Sequence, residues 1–223
     1  MVSILGNPLI AYQLQLLSEA GISDVVISCG FLHKVIEDFL GDGSAFGVDI
    51  TYAIEQRPLG RGGALKNALR QMGPQSEPVL ALNGDIVTNV NVRELVDAHT
   101  RSNKMATLLA VPLRSPYGIV ETGENELATR FVEKPELPFW INGGIYVLNP
   151  EIESLLPEQG DHETTTFPRL AESGQLSVFK SRALWQAVDT VKDLNEVRAY
   201  LERFVFSSFV NFAPPPVPTI GLV

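Results

Sequence analysis

Val79-Leu80-Ala81-Leu82-Asn83-Gly84-Asp85 is a short apolar run that ends on three polar, turn-forming residues. Four consecutive apolar residues bounded by such a turn read as a strand buried on both faces. Helical and strand-like stretches alternate around it. Residues 9–20 set Leu9, Tyr12, Leu16 and Leu17 on one helical stripe, with Gly21 as the capping candidate. Residues 25–28 read as a strand, 34–40 as a helix stopped by Gly41-Asp42-Gly43, 48–54 as a strand and 63–71 as a helix. Beyond the central run come a helix over 92–101 and a strand over 106–111. This alternation predicts an α/β fold with an open, mostly parallel sheet covered by helices on both faces. Ligands of such sheets bind beyond the carboxyl ends of the strands, where Asn83-Gly84-Asp85 would lie.

The second half changes character. Residues 117–121 and 127–132 read as a hairpin, 141–148 as a strand, 166–174 as a helix, 176–179 as a strand and 193–204 as a last helix. It reads as a lobe on the same sheet, giving one domain over 1–205. The prolines of Ala213-Pro214-Pro215-Pro216-Val217-Pro218 forbid helix, so 206–223 is expected to be a disordered tail.

A chain of 223 residues can form one large domain, and 45% hydrophobic with 19% charged residues is an ordinary globular balance. The net charge of −9 argues against non-specific binding to nucleic acid, whose phosphates would repel it. Cys29 is the single cysteine, read as a small buried hydrophobe, so no internal disulfide can form. No run is apolar enough to span a membrane, and residues 1–6 lack the basic-then-apolar pattern of a signal peptide. A cytoplasmic protein is the expectation, with homo-oligomers left open.

Four segments could carry chemistry. Asp85 could bind a hard cation such as Mg²⁺, although Asn-Gly-Asp also simply turns a chain. In Pro58-Leu59-Gly60-Arg61-Gly62-Gly63 the glycines would let a backbone approach a ligand, with free helix amides behind; a flexible loop is the plain alternative. Glu133-Lys134-Pro135 offers a point charge for phosphate, or a surface ion pair. Asp189-Thr190 offers a second metal ligand, or a cap for the last helix.

Taken in order, these segments resemble the sugar-1-phosphate nucleotidylyltransferase family, from residue 1 to about 202. The markers are Gly6-Asn7-Pro8-Leu9-Ile10, residues 55–65, Asn83-Gly84-Asp85, Tyr117-Gly118, Phe131-Val132-Glu133-Lys134-Pro135 and Ile141-Asn142-Gly143-Gly144-Ile145-Tyr146. The resemblance implies a Rossmann-like sheet, mixed but mostly parallel and lacking its first strand, and transfer of a nucleotidyl group from a nucleoside triphosphate to a sugar 1-phosphate, with Mg²⁺. Asp85 and Asn83 would serve the metal and nucleotide, and Glu55, Pro58, Leu59 and Gly60 the base. Gly118, Glu133 and Asn142 would hold the sugar, and Lys134 its phosphate. Glu55 offers only acceptors, which suits guanine, so GTP with mannose 1-phosphate is the first expected pair.

Two departures qualify the resemblance. Ala187 stands where the commoner Trp-x-Asp-x-Gly motif has its aspartate. The form here is closer to the Trp-x-x-x-Asp-Thr of glucose-1-phosphate cytidylyltransferases, which makes Asp189 the second metal candidate. Met1-Val2 matches the residues just after the family's first strand and Gly-x-Gly-Thr-Arg loop, which the sequence lacks, so a truncated member of an active lineage is expected, by itself a poor catalyst or none, and a non-catalytic sugar-nucleotide-binding relative is the alternative. A metal-dependent glycosyltransferase fits less well, because Ile86-Val87 follows Asp85 where a second carboxylate would be wanted.

Overall fold

The chain opens on two short antiparallel strands, β1 (Ser3–Ile4) and β2 (Asn7–Pro8), and enters helix α1 (Leu9–Glu19). Gly21 follows with φ of 84°, the left-handed position that ends a helix cheaply only for glycine. Then come β3 (Asp24–Cys29), α2 (His33–Leu40), β4 (Asp49–Ile54), α3 (Gly60–Met72) and β5 (Val79–Leu82). After β6 (Ile86–Thr88), α4 (Val92–Ser102) and β7 (Ala106–Arg114), the chain makes a hairpin of β8 (Ile119–Thr122) and β9 (Ala128–Val132). The long strand β10 (Glu136–Leu148), a 3₁₀ turn at Pro150–Leu155, α5 (Thr166–Glu172), β11 (Leu176–Lys180), β12 (Trp185–Ala187) and α6 (Val191–Phe204) complete it. This computed structural model describes residues 1–74 and 76–204, so the tail expected over 206–223 lies outside the described residues.

The central sheet has the order β11-β7-β10-β5. Strand β10 is antiparallel to both β5 and β7, and β11 is parallel to β7, so three strands run one way around one reversed strand. The sheet is therefore mixed. The reversal follows from the connection: the chain passes from β7 to β10 through a hairpin and not through a crossover helix, and only antiparallel strands can be joined that way. A parallel pair, β3 with β4, lies earlier in the chain.

The period of two along these strands places the core on both faces. Val79 and Ala81, Ala106 and Leu108, and Tyr146 and Leu148 pack with α3, α5 and the 3₁₀ turn through Leu65, Leu69, Phe167, Leu170 and Ile152. Leu80 and Leu82, Leu109 and Val111, and Ile145 and Val147 point the other way, onto Val92 and Leu95 of α4 and Leu16 of α1. Leu95 and Leu109 are fully buried, and truncating either to alanine costs about 2–5 kcal/mol by the usual large-to-small rule.

Strands β6 and β12 are absent from the sequence reading because three residues show no period. They pair antiparallel, with Ala187 opposite Ile86. Helix α3 also begins at Gly60, three residues ahead of the expected start at 63. Glycine's poor helix propensity hides that first turn.

Candidate active site

The turn after β5 is held from three sides. Asn83 N donates to Gly144 O at 2.9 Å, tying the turn to β10. Gln13, buried on α1, donates its amide to Asn83 O at 2.8 Å and to Ile86 O at 3.0 Å. Val188 N donates to Asp85 O at 2.8 Å, extending the β6–β12 ladder by one rung, so Asp189 directly follows the residue paired with Asp85. Both carboxylates are exposed, and among the described residues neither has a hydrogen bond or an ion pair.

The cap of α6 belongs to Thr190. Its N–H and hydroxyl donate to Asp193 Oδ2 at 2.8 and 2.7 Å, and Asp193 N–H donates to Thr190 Oγ1 at 3.2 Å. This reciprocal box closes the helix start and holds the Asp193 carboxyl below its ordinary value. Asp189 is thus not needed as the cap.

On the nucleotide-side loop, Glu55 N–H donates to Cys29 O at 2.8 Å, while Glu55 Oε2 accepts from Leu59 N at 2.9 Å and Oε1 from Ser28 Oγ at 3.4 Å. The carboxylate staples its own loop, which leaves Pro58 and Gly60 exposed and Leu59 half-buried. The expectation of free amides at the start of α3 is corrected here. Gly62 N and Gly63 N both donate to Gly160 O, at 2.8 and 3.4 Å, and Gly160 N donates to Leu59 O at 2.7 Å. The glycines are needed because another backbone approaches: a Cβ on Gly62 would lie 2.8 Å from His162 N, and one on Gly63 would lie 2.7 Å from Glu158 O.

On the sugar side, a Cβ on Gly118 would meet the Phe131 ring at 2.5 Å and Glu133 Oε2 at 2.8 Å, so these three residues of the hairpin region interlock. Glu133 and Lys134 lie exposed in the bend between β9 and β10. Lys134 Nζ is 3.9 Å from Glu196 Oε1 of α6, a loose surface pair worth at most about 1 kcal/mol. Asn142, in β10, donates to Tyr146 Oη at 2.9 Å and to Glu163 Oε1 at 2.8 Å, and accepts from Gly144 N at 2.9 Å. Gly144 thereby bridges Asn142 to Asn83. Glu163 in turn pairs with Arg61, at 2.9 Å, directly after the Pro58–Gly60 loop.

Asn83, Gly144, Asn142, Glu163 and Arg61 are therefore linked in one chain of contacts, whereas Gly118 and Glu133 meet each other in the hairpin region and Lys134 meets Glu196 of α6. Sequence reading missed Gln13, Arg61, Tyr146 and Glu163. Gln13 carried a signal, as a polar residue between Tyr12 and Leu14 in an apolar helix. Glu163 carried none, since it acts through residues distant in sequence.

Strand β5, expected to be central, stands at the edge of the described four-stranded sheet, with the exposed Asp85 beyond its carboxyl end, where ligands of α/β sheets bind. The profile described as Nucleotidyl transferase matches residues 1–203, and the chain belongs to that family. It is 33% identical over 201 residues to Mannose-1-phosphate guanyltransferase 2 of Candida glabrata, covering 86% of this chain and 56% of that protein. It is 32% identical over 201 residues to the mannose-1-phosphate guanyltransferase of Saccharomyces cerevisiae, with the same coverage of 86% and 56%. The chain thus spans about half the length of these curated relatives. Among solved structures, HddC from Yersinia pseudotuberculosis superimposes with a TM-score of 0.73 at 21% identity, covering 90% of this chain and 88% of that one. UDP-glucose pyrophosphorylase complexed with UDP-glucose gives a TM-score of 0.69 at 17% identity, covering 91% and 90%. These two likenesses establish a shared fold. Among the described residues no helix is long and apolar enough to cross a membrane.

Proposed function

We propose that the chain carries the nucleotidyl-transferring site of an enzyme that joins a nucleoside triphosphate to a sugar 1-phosphate in the cytoplasm, with GTP and mannose 1-phosphate as the first pair. The observation that supports this reading is the rung between Val188 N and Asp85 O, which ties the strand leading into Asp189 to the turn that carries Asp85. A phosphate oxygen of the sugar 1-phosphate attacks the α-phosphorus of the triphosphate. The new P–O bond forms as the bond to the β-phosphate oxygen breaks, and pyrophosphate leaves. Charge grows on phosphate oxygens throughout, so positioning and electrostatic stabilisation supply the rate.

Two exposed carboxylates without other partners fit a Mg²⁺ ion, which favours oxygen ligands and usually completes its shell with phosphates and water. Among the described residues no group of three or more His, Cys, Asp and Glu is placed to hold a metal. Bound there, Mg²⁺ would supply Lewis acidity and a template for the phosphates. Lys134 is free enough to leave Glu196 for the sugar phosphate, because a pair at 3.9 Å between half-exposed side chains is weak. Glu55 Oε1, held only by the long 3.4 Å contact from Ser28 Oγ, is the freer oxygen for a base, since Oε2 is engaged by Leu59 N–H at 2.9 Å. Recognition of guanine through Glu55 therefore uses one oxygen.

Ala187 favours a second reading, a relative that binds sugar nucleotides without turnover, because it removes the carboxylate of the commoner motif. One assay separates them. The chain, joined to the family's first strand and Gly-x-Gly-Thr-Arg loop ahead of Met1, is incubated with Mg²⁺, each of the four nucleoside triphosphates, and mannose 1-phosphate or glucose 1-phosphate. Pyrophosphate release, highest with GTP and mannose 1-phosphate, is expected. Binding of sugar phosphate without release from any pair would move the assignment to the non-catalytic reading.

A further inference from the structure

Glu163 lies between the 3₁₀ turn at Pro150–Leu155 and α5, outside every motif of the sequence. Its Oε1 accepts from the Tyr146 hydroxyl at 2.7 Å and from Asn142 Nδ2 at 2.8 Å, while its Oε2 pairs with Arg61 at 2.9 Å. Asp161, two residues earlier, holds the other side of the same guanidinium, accepting from Arg61 Nε at 2.9 Å. Burial raises the Tyr146 hydroxyl above its ordinary value, so it stays protonated and can donate.

The orientation of the Asn142 amide follows from chemistry. Gly144 N–H lies 2.9 Å from it and can only donate, so the atom facing Gly144 is the amide oxygen. Nδ2 then faces Tyr146 and Glu163, and both of its hydrogens are engaged inside the protein. What Asn142 retains for a ligand is the second lone pair of Oδ1. It can accept a hydrogen bond and cannot give one.

We propose that Glu163 is a positioning residue: gripped by Arg61, it locks the Asn142 amide so that a bound sugar hydroxyl meets an acceptor only. This rests on the reading of Asn142 as a sugar contact. The arrangement has two consequences. The sugar must donate a proton at that position, so a group that cannot donate is rejected. Arg61, which immediately follows the Pro58–Gly60 loop, also becomes a determinant of sugar binding although it sits on the nucleotide side. A network that served folding alone would not require Asn142, whose side chain is exposed, to be held at both ends.

The test uses the full chain without Mg²⁺, so that ligands bind and do not react. Mannose 1-phosphate, glucose 1-phosphate and GTP are titrated separately by calorimetry into wild type, E163Q, R61Q, R61K and the R61Q/E163Q double variant. E163Q and R61Q are each expected to raise the sugar phosphate Kd about tenfold, equivalent to about 1.4 kcal/mol, with the GTP Kd held within about twofold. The double variant should lose no more than either single one, since both cut the same chain of bonds, and R61K should recover part of the loss. Monodeoxyfluoro analogues of the better sugar phosphate supply a readout that a structural role would not move. Wild type should discriminate against fluorine at one ring position, and E163Q should lose that discrimination. Melting curves identify any variant that fails to fold; the arginine pair then carries the test if E163Q is lost. Unchanged sugar affinity, additive losses, or fluorine discrimination that survives in E163Q would each overturn the role of Glu163 while leaving the nucleotidyl-transfer reading in place. Wild type that binds neither sugar phosphates nor GTP would overturn that reading, and this inference with it.

Discussion

Asp85 and Asp189 are held by backbone and not by their carboxylates, which makes their chemistry separable from their structural role. Asp85→Asn keeps the side-chain shape and the Val188 N–H to Asp85 O bond, so the melting temperature should stay at the wild-type value. Turnover of the chain with the Gly-x-Gly-Thr-Arg loop restored, in contrast, should fall at least about a hundredfold, because a neutral amide is a poor ligand for a hard cation. Retained activity at ordinary Mg²⁺ concentrations would sink the metal assignment. Lys134→Ala tests the other end of the site. Its partner Glu196 is exposed and loose, so stability should move little. Loss of a charged contact to the sugar phosphate should cost ~1.5–3 kcal/mol in kcat/KM, read by initial rates at varied sugar phosphate. Kinetics equal to wild type would dismiss the contact.

Two forces compete in the first turn of α3, and their sizes decide the outcome. Alanine is a better helix former than glycine by about 1 kcal/mol, so propensity alone says that Gly62→Ala stabilises. The added Cβ would lie 2.8 Å from both His162 N and Pro157 Cγ, and overpacking of that kind costs about 1–3 kcal/mol. Net destabilisation is expected, measured as a lower urea midpoint; a higher midpoint would show that residues 157–162 yield easily. The same turn shows where sequence reading stops. Elements with a clear period were legible, as with the strand at Val79–Leu82 and the helix that begins at Val92. The first turn of α3 was not, because glycine belongs there for tertiary reasons that propensity opposes. The reversed direction of β10 was hidden as well, since strand direction depends on how the connection runs and not on the strand's own residues. At the site, Asp85 and Asn142 stood out through their motifs, whereas Glu163 depends on Arg61, far away in sequence, and gave no local sign.

The folded molecule as a whole carries an acid sensitivity centred on His162. The side chain is 3% exposed, neither ring nitrogen makes a hydrogen bond among the described residues, and the ring packs edge-on against Phe167 at 4.8 Å and Tyr146 at 5.4 Å. Burial pushes its pKa below the ordinary 6.5, with the nearby carboxylates of Glu163 and Asp161 opposing the shift only partly. The unfolded chain therefore takes up a proton before the folded one does. Stability is at its full value above about pH 6.5 and falls as pH drops from there toward the folded value, with a slope of at most about 1.4 kcal/mol per pH unit. Carboxylates do not confuse this window. Glu158, lowered to about 2 by Arg70 and Lys66, gives its stabilisation above its unfolded value of 4.5 and loses it only as pH falls further. His33 and His99 are common to wild type and variant, so the comparison removes them. Melting temperatures followed from about pH 7.5 to about pH 5.5 should fall more steeply for wild type than for His162→Phe, which keeps an aromatic ring among its aromatic neighbours and has no proton to gain. Parallel slopes would mean that His162 accepts its proton without disturbing residues 157–163. The clasp between this segment and the first turn of α3 would then be indifferent to acid.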